Sequence, residues 1–191
     1  MTVIDRQWAL NQLRHSRNSA ILSLAAMQML NSDLIYDLDD KVVVLKTDGI
    51  TFNPEPYDRQ GARVEVNLGQ LTHDYRHDHD SLIAIMDEFW KAARRTLIKE
   101  GFEVTRKYAA AMRGGAIETQ PWYQFARVIR NCLSHDFHFR FSKYDLRQLP
   151  VSWAGKEINA SLNDKDLPNN FLDPHATWSL FSEMEAFVTN S

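Results

Sequence analysis

The sequence has little of what marks a secreted or membrane-spanning protein. Its one cysteine, Cys132, excludes an internal disulfide and is typical of a reducing compartment. No apolar run approaches the roughly 20 residues of a membrane span. The first residues, MTVIDRQW, carry two charged side chains and no apolar signal core. We therefore expect a cytoplasmic protein with no membrane association.

Internal repeats and long flexible linkers are also missing, which bears on the domain organisation. Only seven glycines occur in 191 residues, and no low-complexity segment separates one part of the chain from another. A chain of this length with 44% hydrophobic residues can bury one sizeable core. The prediction is a single domain over residues 1–191.

Helical periodicity dominates the chain, so the predicted fold class is mainly α, an antiparallel helical bundle with small β-hairpin insertions. Helices are predicted over residues 4–36 and 70–112, and Gly101 is expected to break or kink the second of them. A last helix is predicted to begin after the pair Asp173-Pro174, which suits a helix N-terminus.

Two segments interrupt the helical pattern. Valine-rich runs around a Thr-Asp-Gly turn predict a β insertion over about 41–67. Apolar residues on both sides of a Gly-Lys pair predict a second hairpin over about 149–161. Both are interpreted as small additions to the helical domain.

Charge is distributed unevenly along the chain. Residues 91–147 contain 12 Lys and Arg against 5 Asp and Glu, whereas the remainder contains 10 against 20, which together give the net charge of −3. A polyanion could therefore be attracted to one region of a mildly acidic protein. Arg94 and Arg95 lie mainly off the apolar stripe of the second helical region and are candidates for contacts to phosphates.

The stretch QFARVIRNCLSHDFHFRF, residues 124–141, has the most distinctive pattern. It is predicted to continue a helix capped by Thr119, with Pro121 in the first turn. Its apolar residues share one side of that helix: Phe125, Ala126, Val128, Ile129, Cys132, Leu133, Phe137 and Phe139. The opposite side collects polar groups that can exchange protons or hold a negative charge: Arg127, Arg130, Asn131, Ser134, His135 and His138.

Two spacings on this polar side favour chemistry on a phosphate. Asn131 lies four residues before His135, so its amide can orient the imidazole. Arg130 and His135 diverge by roughly 140° on an ideal helix, so they can flank one phosphate only across a groove, a local unwinding or a subunit interface. Arginine suits a phosphate because it is always charged and donates paired hydrogen bonds, and histidine can act as base or acid near neutral pH.

The pattern R-N-x-x-x-H formed by Arg130, Asn131 and His135 resembles the motif of the HEPN superfamily, small helical domains of bacterial conflict systems and RNA processing. The resemblance covers residues 120–141 well and about 4–190 loosely. It implies a homodimeric, metal-independent endoribonuclease without a cofactor, in which the Arg and His of both subunits share one cleft.

The resemblance also implies roles for individual residues. His135 would activate the RNA 2′-hydroxyl, Asn131 would orient His135, and Arg130 would stabilise the charge on the phosphorane. Three further residues would shape the cleft or hold flanking phosphates: Arg127, Ser134 and His138. A toxin or defence ribonuclease with an antitoxin or regulatory partner fits this family. Some HEPN toxins are modified on a tyrosine two residues after the histidine, where this chain has Phe137.

Other interpretations of these residues remain open. The chain could be a non-catalytic HEPN-like module that binds nucleotides, RNA or a protein, or Arg130 could simply form an ion pair while Asn131 and His135 join two helices. Cys132 is within reach of His135 as a nucleophile, although it falls on the apolar side. His73 and His77, at i and i+4, could chelate a metal, but no third ligand is fixed by the pattern.

Overall fold

The chain is mainly helical with small antiparallel β elements, which confirms the predicted fold class. Its contacts divide it into two compact units, one of Ser23–Trp90 and one of Met1–Leu22 with Lys91–Ser191. The computed structural model describes residues 3–30, 42–46, 49–52, 64–67, 69, 73, 78–114, 116–168 and 170–190.

The first helix and the predicted β insertion are both present. Helix α1 spans Arg6–Leu30, and the part of the predicted helix beyond it, residues 31–36, lies outside the described residues. Strands β1 (Val42–Lys46), β2 (Gly49–Phe52) and β3 (Val64–Asn67) form an antiparallel sheet in the order β2-β1-β3. The register pairs Val43 with Phe52 and with Val66. The predicted β insertion is therefore confirmed, and it contains a third strand beside the hairpin.

The second helical region contains a π-helical segment between two α-helices. Helix α2 (His79–Arg94) begins after Asp78, whose carboxylate accepts hydrogen bonds from the backbone N–H of Ser81 at 3.2 Å and from its hydroxyl at 2.6 Å. A π-helical segment, Arg95–Glu100, follows and leads directly into helix α3, Gly101–Met112. The described part of the predicted span 70–112 is helical from His79 onwards.

The prediction that Gly101 breaks the helix is wrong, because the backbone of this residue is helical, with φ of −57° and ψ of −46°. Its role is close packing. A Cβ atom at this position would lie 2.9 Å from two carbons of the Phe181 ring, so a larger residue would not fit without displacing that ring. Helix α3 does end where expected, just before Gly114, which has a φ of +50°.

The helix that carries the motif starts later than predicted. Thr119 belongs to a 3₁₀ turn, Ala116–Thr119, and its hydroxyl donates to the carbonyl of Ala116 at 2.9 Å instead of capping a helix. Helix α4 spans Tyr123–Ser134. The predicted cap was wrong because the hydroxyl is satisfied within the preceding turn.

A short helix that the sequence analysis did not predict follows the motif. Helix α5 spans Lys143–Gln148 and is capped by Ser142, whose hydroxyl accepts the backbone N–H of Asp145 at 3.1 Å. The Asp145 carboxylate in turn accepts the backbone N–H of Ser142 at 2.9 Å, which completes a capping box. The Ser-x-x-Asp pattern was the available signal for this helix.

The C-terminal part of the chain matches its prediction. Strands β4 (Val151–Trp153) and β5 (Lys156–Ile158) form the second hairpin. Asp173 caps helix α6, Pro174–Thr189, by accepting the backbone N–H of Ala176 at 2.8 Å. Helix α6 packs against α3 and the π-helical segment through a predicted apolar face that is buried: Leu180, Phe181, Met184, Phe187 and Val188.

Candidate active site on helix α4

Helix α4 is amphipathic, and its apolar side forms part of the core of the larger unit. The side chains predicted to face inward are all buried, including Phe137 and Phe139 beyond the end of the helix: Phe125, Ala126, Val128, Ile129, Cys132, Leu133, Phe137 and Phe139. Because this side is fixed by packing, the polar side of the helix has a defined direction. The polar side chains are half-buried or exposed.

Arg130 is held by two neighbours. Its Nη2 forms an ion pair with Oε1 of Glu103 on α3, and its Nη1 donates to Oδ1 of Asn131 at 3.0 Å. Its Nε–H is buried and meets no acceptor among the residues that the structure describes. Arg130 is thus in the ion pair that one interpretation of the sequence expected, and its side chain is 30% exposed.

Glu103 connects Arg130 to a second cation. Its Oε2 accepts a hydrogen bond from Nη2 of Arg106, one turn further along α3, at 3.0 Å. Partial burial alone would raise the pKa of the Glu103 carboxyl, but the hydrogen bond from Arg106 and the charge of Arg130 outweigh it and hold that pKa below its usual value. The carboxylate is therefore ionised at neutral pH.

His135 terminates α4 and is exposed. Its backbone N–H bonds to the carbonyl oxygens of Asn131 and Cys132 at 3.1 and 3.0 Å, and its φ of −106° and ψ of 39° take the chain out of the helix. Within the described parts of the chain, its imidazole forms no hydrogen bond or ion pair. Asn131 contacts Arg130 through its side chain, and its predicted side-chain contact to His135 is not formed among these residues.

The turn after His135 is built around two residues in the left-handed region. Asp136 and Phe137 have φ values of 57° and 62°, and the Phe137 carbonyl accepts the backbone N–H of Leu167 at 2.6 Å. Arg95 pairs with Asp136 at 2.6 Å and lies 4.8 Å from the centre of the Phe137 ring. Arg94 is 1% exposed and lies 5.6 Å from the same ring. Both arginines thus support the turn that presents His135.

Three other polar residues of the motif stretch have protein partners. Arg127 pairs with Asp145 of α5 at 2.6 Å and lies 4.8 Å from the centre of the Tyr144 ring. His138 Nδ1 lies 2.7 Å from the Asp166 carboxylate. The Ser134 hydroxyl donates to the carbonyl of Arg130 at 2.9 Å. These three side chains, which were predicted to shape the cleft or hold phosphates, are thus bound to other groups of the protein.

Cys132 is unsuited to nucleophilic chemistry. Its side chain is buried, and this burial raises the pKa of the thiol to about 12. A thiol with this pKa is almost entirely protonated at neutral pH, and the thiolate is the reactive form. The interpretation of Cys132 and His135 as a nucleophile pair therefore has no support in this geometry.

The alternative metal site cannot be assembled from the described residues. His73 is exposed, and His77 lies outside the residues that the structure describes. Across the described segments, no group of three or more His, Cys, Asp or Glu side chains could hold a metal ion.

Four acidic residues around the site were not singled out from the sequence: Glu103, Asp136, Asp145 and Asp166. The spacing of Glu103 and Arg106 on one helix was a local signal for their pairing. The pairs that join Arg130 to Glu103 and His138 to Asp166 had no such signal, because their members are 27 and 28 residues apart in the sequence.

No helix in the described residues is both long and apolar enough to cross a membrane. Comparison of the chain with protein-family models, curated proteins and solved structures finds no match.

Proposed function

We propose that this protein is a metal-independent endoribonuclease of the HEPN type. The observation that carries the proposal is the exposed imidazole of His135 at the end of α4, five residues after Arg130 on the polar side of the same element. An imidazole that none of the described residues engages is available to accept or donate a proton, and a guanidinium brought to the same phosphate can stabilise negative charge.

The reaction is a transesterification within the RNA chain. His135 accepts the proton of a 2′-hydroxyl as its oxygen attacks the adjacent phosphorus, and Arg130 stabilises the negative charge on the equatorial oxygens. The bond from phosphorus to the 5′-oxygen then breaks, and a second imidazole protonates the leaving oxygen. The products are a 2′,3′-cyclic phosphate and a free 5′-hydroxyl.

The second imidazole is proposed to come from another copy of the chain. His138, the histidine closest to the motif in sequence, is paired with Asp166 and has its Nδ1 occupied. His135 is exposed and can enter an interface between two copies. Two copies related by a twofold axis would then contribute equivalent residues to one cleft.

The cellular role that fits this activity is a cytoplasmic toxin or defence ribonuclease restrained by an antitoxin or another regulatory protein. Regulation through a modified tyrosine is not proposed, because the position two residues after His135 is Phe137. Its ring is buried beside Arg94 and Arg95 and carries no hydroxyl to modify.

A second candidate function is a non-catalytic module that binds nucleotides, RNA or a protein through the same residues. The specific observation in its favour is the ion pair of Arg130 with Glu103. This pair partly neutralises the arginine that the reaction requires. Such a module would bind RNA in a salt-dependent manner and would not cleave it.

The two functions are distinguished by chemistry at the 2′-hydroxyl. The purified protein is incubated in EDTA with an RNA pool and with DNA of the same sequences, and the product ends are identified. The proposal predicts 2′,3′-cyclic phosphates from RNA and intact DNA, since DNA lacks the attacking hydroxyl. Cleavage of the all-DNA substrate at a similar rate would contradict the mechanism.

A further inference from the structure

Two arginines from different helices converge on one carboxylate in the candidate site. Glu103 Oε1 pairs with Arg130 of α4, and its Oε2 accepts from Arg106 of α3 at 3.0 Å. Arg106 was not among the residues predicted from the sequence. The shared contact with Glu103 places Arg106 beside the polar side of α4, on which Arg130 lies.

This cluster is accessible to a ligand. The side chains of Arg106, Arg130 and Glu103 are 53%, 30% and 19% exposed, so both arginine side chains are partly open to solvent and Glu103 is the least exposed of the three. Two cations and one anion leave a positive charge on this surface. An approaching polyanion would be attracted to it.

A carboxylate and a phosphate present similar oxygen geometry to a guanidinium group. The Glu103 carboxylate thus stands where a non-bridging pair of phosphate oxygens could be bound by Arg106 and Arg130. The buried Nε–H of Arg130, which meets no acceptor among the described residues, indicates that Glu103 does not use the full capacity of this guanidinium. A phosphate in the place of the Glu103 carboxylate would bring more oxygens to the two guanidinium groups than a carboxylate does.

We propose that Arg106 and Arg130 form one binding site for a phosphodiester of RNA, and that Glu103 is an internal anion that the RNA phosphate displaces. This inference rests on the proposed function for the identity of its ligand. Glu103 thereby lowers the affinity of the site for RNA, and Arg106 becomes a substrate-binding residue beside the motif.

The test is a binding measurement with an RNA oligonucleotide that carries 2′-O-methyl groups and cannot be cleaved. Glu103→Gln removes the competing charge and keeps the side-chain shape. Glu100→Gln, one turn earlier and exposed, makes the same change in net charge without touching the cluster. We expect Glu103→Gln to bind about tenfold more tightly than wild type. The control should change the affinity by less than about twofold.

The salt dependence gives a second readout. Release of Arg130 and Arg106 from Glu103 adds a contact to phosphate, so the slope of log affinity against log salt should steepen by about 0.7 in Glu103→Gln. Arg106→Gln, at the most exposed member of the cluster, should weaken binding about fivefold and make the slope shallower by a similar amount. Unchanged or weaker binding by folded Glu103→Gln would overturn the proposal.

Inorganic phosphate is titrated separately, to distinguish RNA from a free anion as the ligand. Phosphate binding that Glu103→Gln strengthens, without tighter RNA binding, would reject RNA as the occupant. Tighter RNA binding by Glu103→Gln in a protein that never cleaves RNA would keep this site and reject the ribonuclease. If the protein cleaves RNA but Glu103→Gln binds RNA with the affinity of wild type, the ribonuclease proposal stands and this binding site is rejected.

Discussion

The polar residues of helix α4 differ in whether other side chains of the protein bind them. Arg127 is paired with Asp145, Arg130 with Glu103, and the imidazole of His135 with none of the described residues. A side chain held in an ion pair has a defined position, but it can bind a ligand fully only after it releases its partner. An exposed imidazole needs no such exchange, which makes His135 the residue on which a catalytic role depends most directly.

The pair of Arg127 and Asp145 is the least exposed ion pair in the described structure, with side chains 16% and 5% exposed. Asp145→Asn is predicted to lower the free energy of unfolding by about 3 kcal/mol at pH 7, because it leaves a nearly buried guanidinium without its anion. Chemical denaturation of both proteins measures this difference. An effect below about 0.5 kcal/mol, the value of a typical exposed pair, would contradict the structural role.

The same carboxylate makes stability depend on pH. Burial would raise the pKa of Asp145, but hydrogen bonds from Ser142 and the charge of Arg127 hold it below its ordinary value of 3.8. The stabilisation of the fold by ionised Asp145 is therefore fully present above pH 3.8. It is lost as the pH falls through the lower pKa that this carboxyl has in the folded state. The stability difference between wild type and Asp145→Asn should shrink in that acidic range, which denaturation at a series of pH values can show.

Cys132 should be chemically inert in the folded protein. With a pKa of about 12, its thiolate fraction at pH 8 is about 10⁻⁴, and its sulfur is also buried. We predict that iodoacetamide does not label the native protein over hours at pH 8 and labels it readily in denaturant. Rapid labelling of the native protein would show that this side of α4 is open, contrary to the burial described here.

At the scale of secondary-structure elements, close packing of α3 against α6 fixes where Glu103 and Arg106 lie. Gly101, at the start of α3, brings the helix against Phe181 and Met184 of α6, both fully buried. The π-helical segment before it continues the helix without a break. The position of Glu103 on α3 therefore depends on a glycine that lies two residues before it.

Gly101→Ala is predicted to destabilise the protein by about 1–3 kcal/mol. The new Cβ would lie 2.9 Å from the Phe181 ring, and this overlap outweighs a gain in helix propensity of about 1 kcal/mol. In a Phe181→Leu background the same substitution should cost at least about 1 kcal/mol less. An equal cost in both backgrounds, measured by denaturation, would show that the contact with Phe181 is not the cause.

Patterns within one element predicted that element well. The apolar faces of α4 and α6 and the cap at Asp173 follow from residues that are close in sequence, and all are confirmed. The start of α4 was placed too early because the hydroxyl of Thr119 bonds to the preceding turn. Helix α5 was missed because its six residues are too few to show a clear periodicity, although its capping box was visible.

At the scale of the whole molecule, the basic region of residues 91–147 lies within the larger unit, which also contains the motif. Ion pairs engage part of its positive charge, since Arg95, Arg106, Arg127 and Arg130 contact acidic side chains. Other cations of this region are exposed: Lys107, Arg113, Arg140, Lys143 and Arg147. The excess charge seen in the sequence thus remains available to steer a polyanion.

What the sequence could not supply was the set of partners that folding brings together. The motif identified Arg130 and His135 as polar residues of one element, and the structure has Arg130 in helix α4 and His135 as its C-terminal capping residue. That Glu103 approaches Arg130 follows only from the packing of α3 against α4, which depends on side chains throughout the core. Ion pairs between distant segments carry no periodic pattern by which a single sequence can be searched.

The central claim is that His135 performs metal-independent RNA cleavage. The most direct measurement compares wild type with His135→Ala in EDTA, with His15→Ala, an exposed histidine of α1, as the control. We predict cyclic-phosphate products from wild type and from His15→Ala, and a rate reduced about 100-fold or more in His135→Ala. Undiminished cleavage by His135→Ala, or no cleavage by folded wild type, would contradict the claim.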